Sequence, residues 1–229
     1  MLADVGYPVI SKNVSHSIEI AKRNPQGNVA KKIVFNKDKT GLFNMYKWRV
    51  LVDAPFEVSD KCCDIMKKHP SKMYAKMTGR KPILGTMANE SKSRYSAWLQ
   101  YGCNAFDKKN GATSAPLSFW TENDILEYIQ KYNVPYASVY GDIVKTGFMI
   151  ETINGYVPEL KTTGCHRTGC MFCMFGCHLE KDGVGRFETM KHTHPKQYDY
   201  CMRPISQNGL GMKDVIDWIN SNTGTNIKY

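Results

Sequence analysis

Long apolar runs are missing from this 229-residue chain: none approaches the roughly 18 to 20 residues that cross a bilayer. The N-terminus, MLADVGYPVISK, also lacks the basic-then-apolar order of a secretory leader. Both absences point to a cytoplasmic protein with no membrane partner. Internal repeats and low-complexity tracts are absent as well, which excludes solenoids and tail-like segments. Acidic residues are scarce, 21 against 31 Lys and Arg, so the formal net charge is +10. That balance suits phosphate-bearing partners such as nucleotides, nucleic acid or sulfated adenylates. The lysines are dispersed, however, in pairs such as Lys31–Lys32 and Lys67–Lys68, and form no nucleic-acid arm. A solvated basic surface explains the charge equally well.

Clear strands are also scarce. KPILGTM (81–87) is the best candidate, a short apolar run stopped by polar residues. Helices are easier to place. SHSIEIAKR (15–23) is predicted to open on Ser15 or Ser17 and to break at NPQGN. MYKWRVLVDAP (45–55) reads as a short helix stopped before Pro55. SDKCCDIMKKHP reads as a helix capped by Ser59 and ending near Pro70. NESKSRYSAWLQYG (89–102) closes on Gly102, with Glu90 and Ser91 as capping residues. Thr121 and Asp124 form a capping box ahead of Ile125, Leu126 and Ile129. KDVIDWIN (213–220) supplies a last amphipathic helix. Strands mixed with helices indicate an α/β class.

Cysteine is abundant where everything else is ordinary. Cys165, Cys170, Cys173 and Cys177 fall within thirteen residues, and Cys62–Cys63 form a tandem pair far upstream. In a reducing compartment such clustering indicates metal or redox chemistry rather than disulfides. Cys170-x-x-Cys173 puts two thiolates on one turn, a half-site for zinc or an iron–sulfur cluster. Cys165 and Cys177 would complete it locally as C-x4-C-x2-C-x3-C, enough for one zinc. Cys62 and Cys63 would complete it as a cluster instead, because adjacent thiolates reach separate irons more readily than one small ion. Spacing alone leaves both completions open. A first-turn position for Cys62 and Cys63 would favour their thiolates through the helix dipole. Cys103 and Cys201, isolated in sequence, read as buried small hydrophobes. His166 and His178 read as groups beside the centre rather than ligands.

KCCDIMKK followed by CMFC resembles the iron–sulfur adenylyl-sulfate reductases of the phosphoadenosine phosphosulfate (PAPS) reductase family. LGTMANESKSR resembles that family's G-x-R-x-x-E-S-x-x-R segment, with Glu90, Ser91 and Arg94 in place. PLSFWTENDILEYIQKYNVPYASVY resembles its P-x-x-x-W-[ST]-x-x-D-[IV] helix and the stretch that leads into G-C-x-x-C. The likeness runs from about residue 5 to 178 and is nearest the PAPS reductase-like proteins of phages and mobile elements. It implies a 4Fe–4S cluster on Cys62, Cys63, Cys170 and Cys173, with Lys67 beside it and Arg94 toward a sulfonucleotide. It further implies a thioredoxin-like reductant.

Three features depart from the family's pattern. Its S-G-G-K-D-S type PP-loop has no counterpart here, so the chain reads as N-terminally truncated, with a PP-loop-bearing partner chain as one consequence. The C-terminal E-C-G-x-H cysteine has no match, which leaves the nucleophile unassigned. Met87 stands where the family carries the G-x-R arginine.

The resulting expectation is a partial adenine-nucleotide alpha-hydrolase-like fold (PP-loop ATPase-like, Rossmann-like), a parallel sheet with helices plus a Cys-rich metal-binding C-terminal region. Residues 1–160 would form the PAPS reductase-like part and 161–229 the cluster loop and C-terminal helices. The expected activity is reduction of adenylyl sulfate or PAPS, or a related sulfur transfer that extends to nucleic acid. Without a PP-loop the chain would be inactive alone, and an ATP-like nucleotide is an alternative ligand. The competing expectation is a zinc-stabilised, basic nucleic-acid-binding module using Cys165, Cys170, Cys173 and Cys177.

Overall fold

Ser11, not Ser15 or Ser17, starts the first long helix, because Ser15 spends its hydroxyl elsewhere. In the computed structural model, which describes residues 2–37, 45–106, 111–165, 168–181 and 183–229, the Ser11 hydroxyl accepts from the Val14 amide at 3.2 Å. The buried Ser15 hydroxyl donates to the Val9 carbonyl and accepts from its amide, at 2.8 and 3.0 Å. That exchange satisfies the backbone of an apolar entry segment that would otherwise be orphaned.

Two compact units divide the chain: Met1–Ser71 with Gly169–Tyr229, and Lys72–Thr168. They are spatial bodies, cut differently from the motif-based segments 1–160 and 161–229. The helices in chain order are α1 (Leu2–Val5), α2 (Lys12–Arg23), α3 (His69–Thr78), α4 (Lys92–Tyr101), α5 (Glu122–Tyr132), α6 (Arg186–Thr193), α7 (Pro195–Met202) and α8 (Met212–Thr223). The strands are β1 (Asn104–Ala105), β2 (Thr113–Ser114), β3 (Ile143–Thr152) and β4 (Gly155–Thr162).

The first unit holds the main core. α2 buries Val14, Ile18 and Ala21, and α8 buries Met212, Val215, Ile216 and Ile219, each set at helical spacing. Met174 and Phe187 from the C-terminal segment join Ile10, Ile18, Leu51 and Val58 in the same cluster. Burying a side chain of this size contributes about 1.5–3 kcal/mol. Tyr7 pairs in parallel with Val58, and its hydroxyl donates to the Leu210 carbonyl at 2.7 Å. Gly6 makes that pairing possible: its φ is +102°, and a Cβ there would lie 2.7 Å from the Ser59 Cβ.

The helix carrying the tandem cysteines does not end at Pro70 but runs on through α3. Residues Asp64–Lys68 form a π turn, closed by the His69 amide on the Asp64 carbonyl. The extra residue restarts the helix at His69, so Pro70 falls in a first turn where its missing N–H costs little.

The second unit combines α4, α5 and the antiparallel β3–β4 hairpin. Ser91 caps α4 and Gly102 (φ 65°) ends it; Thr121 and Asp124 form the capping box of α5. Asn123 on α5 accepts from the Leu160 amide at 2.7 Å and fastens the helix to β4. KPILGTM contributes only one parallel bridge, Ile83 to Ser114. Among the described residues the sheets are two antiparallel pairs, β1–β2 and β3–β4, with two isolated parallel bridges, Tyr7–Val58 and Ile83–Ser114. No helix is long and apolar enough to cross a membrane, among the described residues.

Glu19 on α2 binds this architecture to the cysteine helix. Its carboxylate accepts from the Ser59 hydroxyl at 3.1 Å, lies 2.6 Å from the Lys61 ammonium and also pairs with Arg23. Burial opposes its ionisation, but the hydrogen bonds from Lys61 and Ser59 and the charges of Lys61 and Arg23 outweigh that and hold the carboxyl below its usual range. A carboxyl depressed in this way stabilises the fold above the unfolded value of about 4.3, and the contribution fades as pH falls through the folded value. Glu19→Gln should lower unfolding free energy near neutrality by about 1–3 kcal/mol. It should also flatten the acid limb, as read by urea titrations from pH 3 to 7; an unchanged limb would assign acid sensitivity elsewhere.

Candidate metal centre

Cys62 and Cys63 occupy the first turn of the helix that continues into α3. Their approach is fixed on both sides. The Ser59 hydroxyl accepts from the Lys61 amide at 3.1 Å. Asp60 meets Lys12 at 3.7 Å and His16 at 3.3 Å. Cys62 itself packs against the core.

The second pair lies on a loop built by different means. The Cys173 amide donates to the Cys170 carbonyl at 3.0 Å, which makes C-x-x-C one tight turn. Met174, fully buried, then pulls the loop into the core. The Gly176 amide donates to the Ile10 carbonyl at 2.9 Å. Ile10 holds a φ of 63°, in the left-handed region a β-branched residue avoids. Such a residue persists only where its surroundings over-determine it, and here its carbonyl anchors the cysteine loop.

Arg186, at the start of α6, completes the brace. Its guanidinium donates to the Cys173 carbonyl and, at 3.4 Å, to the Phe175 carbonyl. Glu180 holds the arginine at 3.5 Å and accepts from its amide at 2.8 Å. Glu188 accepts from the Gly183 and Gly185 amides and fixes the turn into α6.

Cys62 feels both Cys63 and Cys173, and Cys173 feels both Cys170 and Cys63. The four thiols thus share one electrostatic neighbourhood. Burial, with Cys63 and Cys173 adding to it, pushes the Cys62 thiol up to about 12. Burial raises Cys173 too, against the opposing Phe175 amide and Arg186 charge. The first-turn advantage expected for the Cys62 thiolate is therefore outweighed in the metal-free chain. Among the described residues, no three His, Cys, Asp or Glu side chains stand as a ready-made metal-ion site. The group fits a metal in its chemistry: Cys62, Cys63 and Cys173 are half-buried and Cys170 is exposed, and ionisation of Cys62 and Cys173 is opposed until a cation supplies charge.

A family model for the phosphoadenosine phosphosulfate reductase domain matches residues 10–175, well over half of the chain. This protein belongs to the phosphoadenosine phosphosulfate reductase family. Neither a curated protein nor a solved structure matches it. The family match takes in both cysteine pairs and stops before Cys177 and Arg186.

The other expected residues of this family member are distributed as follows. Lys67 lies exposed in the π turn, four residues beyond Cys63. Arg94 is on α4 in the second unit, where its guanidinium pairs with Glu90. Cys165 is exposed in the second unit, with its amide on the Val139 carbonyl at 2.9 Å. Cys177 is buried, its thiol donating to the Cys173 carbonyl at 3.5 Å. Burial, reinforced by the Glu180 charge, pushes it up to about 12. Cys201 is fully buried and raised to about 12 by burial, while Cys103 is half-buried. None of the eight cysteines forms a disulfide. His178 packs edge-on to Trp48 at 5.3 Å, and burial and Lys47 lower its pKa. His166 lies outside the described residues.

Sequence reasoning passed over Arg186. A lone arginine thirteen residues beyond a C-x-x-C carries no spacing signal; its only hint is the pair of glutamates, Glu180 and Glu188, around it.

Raised thiols bind protons in the folded chain that the unfolded chain has released above about pH 8.5. Their contribution to stability is complete below that pH and is lost as pH climbs toward 12. In metal-free, reduced protein, unfolding free energy should therefore decline between pH 8 and 10.5, and Cys62→Ser should lessen the slope. A flat profile by urea denaturation would show that these thiols are not crowded in solution.

Proposed function

We propose that this protein uses Cys62, Cys63, Cys170 and Cys173 to hold a 4Fe–4S cluster and serves reduction of a sulfonucleotide, adenylyl sulfate or PAPS, or a related sulfur transfer. The observation that supports it most directly is the meeting of a tandem Cys-Cys with a distant Cys-x-x-Cys in one unit of a PAPS reductase family member. Two thiols on adjacent residues diverge, which suits separate irons of a cube better than one tetrahedral ion.

When bound, the cluster would supply a fixed electrostatic field beside the substrate's sulfate. The chain's own residues do the rest. Arg186 holds the Cys170–Cys173 turn, and the Glu19–Ser59–Lys61 network holds the turn into Cys62. Lys67, one helical turn past Cys63 and solvent-exposed, is available to attract the sulfate. Arg94 would have to exchange Glu90 for the ligand.

In the reading we favour, a thiolate attacks the sulfur, the S–O bond to the nucleotide breaks, and AMP or PAP leaves. A thioredoxin-like dithiol then reduces the resulting thiosulfonate and frees sulfite. Cys201, sealed in the core, does not suit the nucleophile's role.

Iron and acid-labile sulfide near four each per chain, after anaerobic purification, are the expected result. Both should be lost when Cys62 and Cys63 are changed to serine together. One zinc that survives that double substitution would overturn the cluster and favour closure by Cys165 and Cys177. Arg186→Gln, with the ligands intact, should weaken metal retention by about 10- to 100-fold in chelator competition. Arg186→Lys should recover only part, because the shorter ammonium lacks the guanidinium's fixed planar fork of donors.

A further inference from the structure

The second unit carries a cleft of about 1570 Å³ between α5 and the β3–β4 hairpin. That exceeds the roughly 300–1,000 Å³ of small-molecule pockets, so a segment of polypeptide is the better match. Its floor is apolar and aromatic. Phe119, Tyr128 and Tyr132 are exposed there, and Tyr128 meets Trp120 edge-on and Tyr132 at a tilt, with ring centroids 5.4 and 4.5 Å apart.

Its charge is opposite to that of the whole protein. Five carboxylates line the cleft against two lysines, in a chain of net charge +10. Asp124 is spent on capping α5, and Glu159 is bound by Thr146 and Lys161. Glu127 and Glu151 are exposed and make no ion pair among the described residues. An acidic rim repels nucleic acid and selects a cationic, partly apolar occupant.

A segment of that description is present in the same chain. No residue of α3 is buried. Met73, Tyr74 and Met77 are all exposed, the last at 79%. Lys72 and Lys76, one turn apart on the other side of the helix, make no ion pair among the described residues. A methionine-rich apolar face bordered by lysines is the kind of surface that docks into an apolar groove with an acidic rim.

We propose that α3 of one copy of this protein docks into the α5–hairpin cleft of a second copy. The contact is head-to-tail, so association would continue beyond a dimer unless the arrangement closes. It uses none of the four cysteines proposed as cluster ligands.

Sedimentation velocity over about 1–200 µM should show mass rising with concentration and falling with salt. Glu127→Lys/Glu151→Lys gives a chain with a cationic cleft, and Lys72→Glu/Lys76→Glu gives one with an anionic helix. Each alone should self-associate about tenfold or more weakly. An equimolar mixture of the two should restore association, because both contacts again pair opposite charges. All four positions are exposed, and unchanged thermal unfolding would verify folding. A wild-type chain that stays monomeric throughout, or association indifferent to both pairs of substitutions, would overturn the proposal and leave the cleft to a different cationic protein.

Discussion

One hydrophobic core shared by two remote stretches of sequence is the constraint on which everything else rests. Met174 and Phe187 come from beyond residue 169; Ile10, Ile18, Leu51 and Val58 come from before residue 71. Water exclusion between these groups places the C-x-x-C turn beside the tandem cysteines. Burial opposes ionisation of Cys62 and Cys173, so the approach of the two pairs is set by the apolar core and not by thiolate charge.

The polar braces act on this core as locks on position. Glu19 reaches from α2 to the turn before Cys62, and Arg186 reaches from α6 to the carbonyls of the cysteine loop. Each satisfies groups that would otherwise be buried without partners. Ile10 shows the same priority: its unfavourable backbone is retained because its carbonyl receives the Gly176 amide. The second unit follows a different economy. Among the described residues its buried apolar side chains are few, Ala88, Ala105, Leu126 and Leu160, while Ile83, Phe106, Phe148 and Ile153 stay exposed. Local order there comes from capping and the hairpin rather than from a core.

Much of the local structure was legible in the sequence because it depends on near neighbours. Thr121 with Asp124, Ser91 and Gly102 mark their helix ends by side-chain and backbone chemistry within a few residues. Where local signals competed, the reading failed. Ser15 looks like a cap but is taken up by Val9, and Pro70 looks like a stop but is absorbed by a π turn. The β3–β4 hairpin carries an Asn154–Gly155 turn signal that alternation alone did not expose, since its strands have weak apolar periodicity.

The sequence by itself determined the family and displayed the two cysteine pairs, because motifs and spacing are written residue by residue. Tertiary structure alone decided that these pairs belong to one unit and that Arg94 lies in another. It also decided that Arg186 braces the loop and that burial opposes ionisation of Cys62 and Cys173. These facts depend on distances between residues far apart in the chain, and such distances are set by packing, which no local pattern records.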